Sequence, residues 1–271
     1  MPLLDRLFSL KGRTALVTGG ATGIGRMAAE ALVGAGARVL IASRKGDACE
    51  TVAAELTEAG PGRAEGFAGD VASEGGVAAL AAATAERADA LDLLVNNAGV
   101  SWGAPLGDFP HHAWRRVMDV NVAGLFQLTQ ALLPQLERAA SDERPSGVLN
   151  VGSVMGTRPW ADGAYSYSAS KAAVHHLTRI LADDLAPRRI RVNAIAPGPF
   201  RSNMTRFATG TDRKAARIGE NVPLGRIGAP ADVAGAVIFL ATAPHVTGAV
   251  LPLDGGLSVH SKVHLFEGAG E

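Results

Sequence analysis

One cysteine, Cys49, stands in a chain of 271 residues. That excludes an internal disulfide framework and a multi-cysteine metal site, and it fits a reducing compartment, with the thiol itself in the core or at the surface. Aromatic residues make up 5% of the chain against 33 glycines, a balance that suits a sheet crossed by closely packed, alanine-rich helices. Neither sign of charge is in excess, with 26 Lys plus Arg against 26 Asp plus Glu. Nothing therefore points to a nucleic acid or an anionic membrane, and the expected partner is a small molecule. Apolar runs of membrane-spanning length are missing. The N-terminal stretch is broken at Asp5 and Arg6 and lacks a small-residue cleavage pattern, so the expected location is cytoplasmic. The adjacent pair His111 and His112 lacks metal-ligand spacing, and no metal is expected. No linker interrupts the chain, and its 47% hydrophobic content can fill one large core. The expectation is one domain over 1–271, with an N-terminal extension at 1–11, a polar stretch at 200–228 and a tail at 257–271. The tail holds Val263, Leu265 and Phe266, which either pack on a neighbour or fray.

What the chain does contain begins at Thr14. Ala15, Leu16 and Val17 read as a buried strand that meets glycines at 19, 20, 23 and 25 before a helical pattern running from Ile24 to Ala35. Glycines allow a sharp turn and let phosphate oxygens reach backbone amides, and the helix start adds free N–H groups and the positive end of its dipole. A pyrophosphate fits there. The spacing of Gly19, Gly23 and Gly25 is G-x3-G-x-G, unlike the G-x-G-x-x-G of dehydrogenases with a separate nucleotide domain. The second strand, Arg38 to Ala42, ends in Ser43, Arg44 and Lys45, with no carboxylate before Asp47. An acidic residue here would accept from a free ribose 2′-hydroxyl; cations instead favour a 2′-phosphate, and hence NADP(H), with Arg44 as a bidentate partner.

Further along, 46–59 reads as a helix, Ala64–Ala68 as a strand, and Asp70 either as a helix-capping carboxylate or as a contact to adenine. Leu91–Val95 is a strand ending in Asn96-Asn97-Ala98-Gly99, and 101–114 is loop-like. A long helix is expected over Trp114–Arg138. Asn121 lies within it in an apolar setting, where it is unfavourable unless it bonds something specific, so it is a candidate for holding a water or a backbone kink. Gly147–Gly152 is a strand with Ser153 at its carboxyl end. Tyr167 and Lys171, four apart, share a face of a helix running from Tyr165 to about Leu185. Ile190–Pro197, a helix at Ala231–Ala241 and Val250–Leu253 complete the pattern. Six or seven strands alternating with helices make a Rossmann-type α/β fold, a doubly wound parallel sheet with helices on both faces.

Thr18-Gly-Gly-Ala-Thr-Gly-Ile-Gly25, Asn96-Asn-Ala-Gly99, Ser153, Tyr167-x3-Lys171 and Pro197-Gly198 occur in this order, and over nearly its whole length the chain resembles the short-chain dehydrogenase/reductase family. Within it the chain is similar to NADPH-dependent 3-oxoacyl reductases, including the rhamnolipid-pathway type through Ser101-Trp102-Gly103-Ala104 and Ser166-Tyr167-Ser168. The resemblance implies that Tyr167 is the general acid, that Ser153 hydrogen-bonds the carbonyl oxygen, that Lys171 binds the nicotinamide ribose and that Asn121 holds a water in a proton relay. It implies cofactor contacts from Gly19, Thr22, Gly23, Ile24, Gly25, Ser43, Arg44 and Lys45; from Asp70 and Val71 at the adenine; from Asn97, Ala98 and Gly99 near a ribose; and from Pro197, Gly198, Phe200 and Ser202 at the nicotinamide. Trp102, Met155 and Trp160 are candidate substrate contacts or core packing. Ser153 precedes Tyr167 by fourteen residues where thirteen is common, which touches loop shape and substrate fit. A tyrosine titrates near pH ~10, so Lys171 and the oxidised nicotinamide are expected to bring it toward neutrality. The expected activity is reduction of a ketone, a 3-oxoacyl thioester first, by a homotetramer or dimer. The same chemistry on a cyclic or xenobiotic substrate, and a non-catalytic NADP(H)-binding sensor, are the alternatives.

Overall fold

The computed structural model describes residues 3–159 and 163–260. In chain order its elements are α1 (Leu3–Phe8), β1 (Thr14–Thr18), α2 (Gly23–Gly34), β2 (Arg38–Ser43), α3 (Gly46–Ala59), β3 (Arg63–Ala68), α4 (Glu74–Arg87), β4 (Leu93–Asn96), α5 (His111–Met118), α6 (Leu125–Ala131), α7 (Leu133–Ala139), β5 (Ser146–Val151), α8 (Tyr165–Leu185), β6 (Ile190–Pro197), α9 (Arg206–Thr209), α10 (Asp212–Gly219), α11 (Pro230–Thr242) and β7 (Val250–Leu253). The strands form one seven-stranded sheet in the order β3-β2-β1-β4-β5-β6-β7. Every pairing is parallel. The expected doubly wound sheet is thus observed, and its strand order reverses direction between β1 and β4, where a crevice opens at the carboxyl ends.

The inner strands β1, β2, β4 and β5 are largely apolar because both faces are covered, whereas the edge strand β3 carries Arg63 and Glu65. Side chains alternate across the sheet: Val17, Val39 and Ile41 pack with Leu32 of α2 and Val237 of α11. Leu16, Leu40 and Leu94 pack on the other face with Leu80 of α4, Leu128 of α6 and Leu181 of α8. Leu10 of the 1–11 extension joins this core: it is buried, and its amide donates to the Ala35 carbonyl.

Two stretches differ from expectation. The long helix expected over Trp114–Arg138 begins earlier, at His111, and is divided into α5, a π-helical turn over Asp119–Gly124, α6 and α7. Asn121 causes the first departure by bonding sideways out of the helix, as described below. Pro134 causes the second, because its ring is tolerated only in the first turn of a new helix, which starts at Leu133. The polar stretch 200–228 holds two short helices, α9 and α10.

Candidate active site

The Gly-rich turn is fastened to the neighbouring strand exit by Thr18. Its buried Oγ1 accepts from the amides of Asn97 at 3.0 Å and Ala98 at 3.1 Å, and donates to the Val95 carbonyl. Asn97 answers with its side-chain nitrogen, which donates to the carbonyls of Thr18 at 2.9 Å and Gly19 at 3.1 Å. That nitrogen and the Asn97 backbone amide are therefore spent on bracing the turn, and what Asn97 could offer a ribose is its side-chain oxygen and backbone carbonyl. Gly19 and Gly23 hold φ of 64° and 54°, the left-handed region a side chain disfavours. A Cβ on Gly25 would lie 2.3 Å from the Asn97 side-chain nitrogen, so Gly25 is needed for close packing, and it does not line the cleft. Thr22, the residue before α2, makes no side-chain cap, which leaves the first amides of that helix to a ligand.

A cleft of about 480 Å³ opens above this turn, within the range of small-molecule and cofactor sites. Its walls include Gly19, Thr22, Gly23 and Ile24 from the turn, Ser43 and Arg44 from the end of β2, Asp70 and Val71 after β3, and Asn97, Ala98 and Gly99 after β4. The far wall is Ser153, Tyr167, Lys171, Pro197, Gly198, Phe200 and Ser202. The exposed Arg44 has no carboxylate partner among the described residues. Lys45 is not part of the wall; it precedes α3, and its backbone amide donates to Ser43 Oγ. The capping reading of Asp70 is overturned, because Ser73 is the residue that caps α4 by accepting from the Gly76 amide. Asp70 accepts instead from Ala72, within its own turn. These features fit a dinucleotide with a 2′-phosphate: a turn without side chains, an uncapped helix start and an unpaired arginine at the end of β2.

The candidate reactive groups sit on the exit of β5 and the first turns of α8. Ser153 Oγ accepts from the Met155 amide at 3.2 Å, which leaves its proton free to donate, and it is hydrogen-bonded to the Tyr167 phenol. Lys171 Nζ donates to the Val151 carbonyl at 2.6 Å and lies 5.7 Å from the centre of the Tyr167 ring. Burial pushes Lys171 down to about 8. Burial also pushes Tyr167 up, with the Ser153 bond opposing it. Among the protein's own groups desolvation is the largest influence on the phenol and the Ser153 bond the one that opposes it; the expected lowering rests on Lys171 together with the oxidised nicotinamide.

The Asn121 side chain is taken up by bonds within the protein. Its Oδ1 accepts from the Val100 amide at 2.8 Å, and its Nδ2 donates to the Val100 carbonyl at 2.9 Å and to Ser170 Oγ at 3.0 Å. The buried side chain makes these three bonds and is not part of the cleft wall, so a water at Asn121 would fall to its backbone. Of the substrate candidates, two lie within the described residues, and neither is at the cleft. Trp102 packs edge-on against His112, and neither it nor the Met155 side chain lines the cleft. Trp160 lies outside the described residues, as do Val263, Leu265 and Phe266. The wall includes instead Arg116, Asn203, Met204 and Thr205. Among these, Thr205 is a hub: its Oγ1 donates to the Phe200 carbonyl at 2.6 Å and accepts from the Ser202 amide at 3.1 Å. Among the described residues no three His, Cys, Asp or Glu side chains are grouped to hold a metal, and no helix is long and apolar enough to cross a membrane.

The chain matches the family model described as enoyl-(acyl carrier protein) reductase over residues 19–258. It is 46% identical over 251 residues to the rhamnolipids biosynthesis 3-oxoacyl-[acyl-carrier-protein] reductase of Pseudomonas aeruginosa, covering 92% of this chain and 97% of that protein. It is 38% identical to the galactitol 2-dehydrogenase (L-tagatose-forming) of Cereibacter sphaeroides, covering 93% and 98%. Among solved structures, the Pseudomonas aeruginosa RhlG/NADP active-site complex superposes with a TM-score of 0.89 at 45% identity, covering 93% of this chain and 98% of that one. With its seven-stranded sheet, its Gly-rich turn and the Ser153, Tyr167 and Lys171 constellation, the chain belongs to the short-chain dehydrogenase/reductase family and is an oxidoreductase.

Proposed function

We propose that the protein uses NADPH to reduce the keto group of a 3-oxoacyl thioester to a secondary alcohol. The observation that carries this reading is that Ser153, Tyr167 and Lys171 face the same cleft as the Gly-rich turn and Arg44. The similarity to a 3-oxoacyl reductase and to an NADP complex supports it. NADPH supplies the hydride that reaches the carbonyl carbon. Ser153, its oxygen already accepting from the Met155 amide, donates to the carbonyl oxygen. Tyr167 transfers its phenolic proton to that oxygen as negative charge develops there, and Lys171, on leaving the Val151 carbonyl, would hold the nicotinamide ribose. A water on the Asn121 backbone carbonyl returns a proton by way of Lys171. Arg44 holds the 2′-phosphate by charge-assisted hydrogen bonds.

The test compares NADPH and NADH consumption with one short and one long 3-oxoacyl thioester. Faster turnover with NADPH is expected. Arg44→Ala should lower the preference by about tenfold to a hundredfold, the size of one lost charge-assisted contact. Equal rates with both nucleotides would refute the Arg44 assignment. The similarity to a galactitol dehydrogenase favours a second reading, oxidation of a polyol by the same groups; turnover of polyols with NADP and none of thioesters would establish it. We also propose a homotetramer, because Trp114, Phe126 and Ile180 on α5, α6 and α8 and Phe239 on α11 are exposed. A monomeric mass by light scattering would refute that.

A further inference from the structure

His175 is a buried histidine, 4% exposed, to which no step above gives a role. It follows Lys171 by one turn on α8, and the two side chains grip the exit of β5 at alternate residues. Lys171 Nζ donates to the Val151 carbonyl, and the backbone amide of Ser153 donates to His175 Nε2 at 3.4 Å. A backbone N–H can only donate, so Nε2 is the unprotonated nitrogen and the proton lies on Nδ1, which faces Thr157 Oγ1 at 3.4 Å. Gly152, between the two gripped residues, is shaped to this contact: a Cβ there would lie 2.2 Å from Nε2. Burial, with Lys171 and Arg179 nearby, keeps the imidazole neutral down to about pH 4.

We propose that His175 is a positioning residue, whose Nε2 holds the Ser153 backbone so that the serine hydroxyl stays aimed at Tyr167 and the substrate oxygen. This rests on the catalytic reading of Ser153 and Tyr167 given above. That reading has Lys171 leaving the Val151 carbonyl for the cofactor ribose, and His175 is then the remaining side-chain grip on the strand exit. Without an acceptor the buried Ser153 amide would be left unpaired, and the turn carrying the hydroxyl would shift to find one.

His175→Leu should lower kcat about tenfold, one hydrogen bond of about 1.4 kcal/mol. The thioester KM and the NADPH dissociation constant should stay within about twofold, and His175→Gln, which restores an acceptor, should recover most of the rate. A wild-type kcat in His175→Leu, or a leucine variant that glutamine does not rescue, would overturn the proposal. Should His175→Leu not fold, Thr157→Val at an exposed position removes the partner of Nδ1; it should lower kcat with unchanged NADPH affinity, and an unchanged kcat would overturn the proposal. Ser153→Ala run in parallel separates the failures. Full turnover in it refutes the catalytic reading and this proposal together, whereas a slow Ser153→Ala beside a normal His175→Leu refutes the positioning role alone. A readout without substrate is also open, because the chain has two tyrosines. In a Tyr165→Phe background the ultraviolet titration reports Tyr167, and His175→Leu should move it upward as the Ser153 bond is lost; no movement would overturn the proposal.

Discussion

Tyr167 meets the cleft as a phenol. Its burial raises it from its ordinary range, the Ser153 bond only partly opposes this, and so the proton is in place at neutral pH, as the proposed transfer to a carbonyl oxygen requires. Tyr167→Phe should therefore lower kcat by about 10² to 10⁴, while NADPH affinity measured by calorimetry stays near that of the unaltered chain. His175 predicts a second effect, on stability. Its folded value of about 4 lies below the 6.5 of the unfolded chain, so above pH 6.5 the imidazole is neutral in both states and takes nothing away. As pH falls from 6.5 to 4 the unfolded chain binds a proton that the folded one refuses, and about 3 kcal/mol of stability is lost. Denaturant melts should show this decline, and His175→Leu should lack it. Little of this was legible in the sequence, because the partners of His175, Ser153 and Thr157, lie 22 and 18 residues away from it. The signal that could have found it is the four-residue step repeated from Tyr167 to Lys171 to His175.

At the level of elements, the sequence was most readable where one force dominates. Strands covered on both faces are apolar runs, and the turn after β1 is glycine because neither its dihedral angles nor its contact with Asn97 leaves room for a Cβ. Asn121 was legible as an anomaly and not as a clamp, since its partners, Val100 and Ser170, come from other parts of the chain. The same holds for a buried polar ladder under the site. Asn96 Nδ2 donates to Thr129 Oγ1 and to Asn150 Oδ1, and Asn150 Nδ2 donates to Thr178 Oγ1, at 3.0 to 3.1 Å. It joins α6, β4, β5 and α8 across the middle of the sheet, and in low dielectric each member depends on the others. Asn150→Ala should cost about 2 to 3 kcal/mol in chemical denaturation, because it strips a donor from Thr178 and an acceptor from Asn96 together. A loss below ~1 kcal/mol would show that the ladder adds little to stability.

Over the whole molecule, the cleft divides into a fixed floor and a more exposed wall. The floor is made of strand exits, while the wall from Ser202 to Thr205 leads into the short α9 and α10 and leans on the turn; a Cβ on Gly23 would lie 2.9 Å from Ser202 Cβ. Amide exchange at 202–209 should slow when NADPH is added, with exchange in β1 and β4 unchanged. An equal rate with and without the nucleotide would separate this wall from cofactor binding. The wall was read from sequence only as a polar stretch, because its order comes from the Thr205 hydroxyl bonding Phe200, Ser202 and Thr209, and no periodicity records such a hub.

The cleft takes its lining from Thr18 at one end of the chain to Thr205 toward the other. A ribosome that has made only the first half of the protein has made the phosphate turn without the nicotinamide wall. The nucleotide therefore has its full set of contacts only in a finished molecule, which it would stabilise by about 2.7 kcal/mol at about a hundred times its dissociation constant. Unfinished or clipped chains would gain less, so a cell's supply of reduced nucleotide would favour complete copies against its proteases.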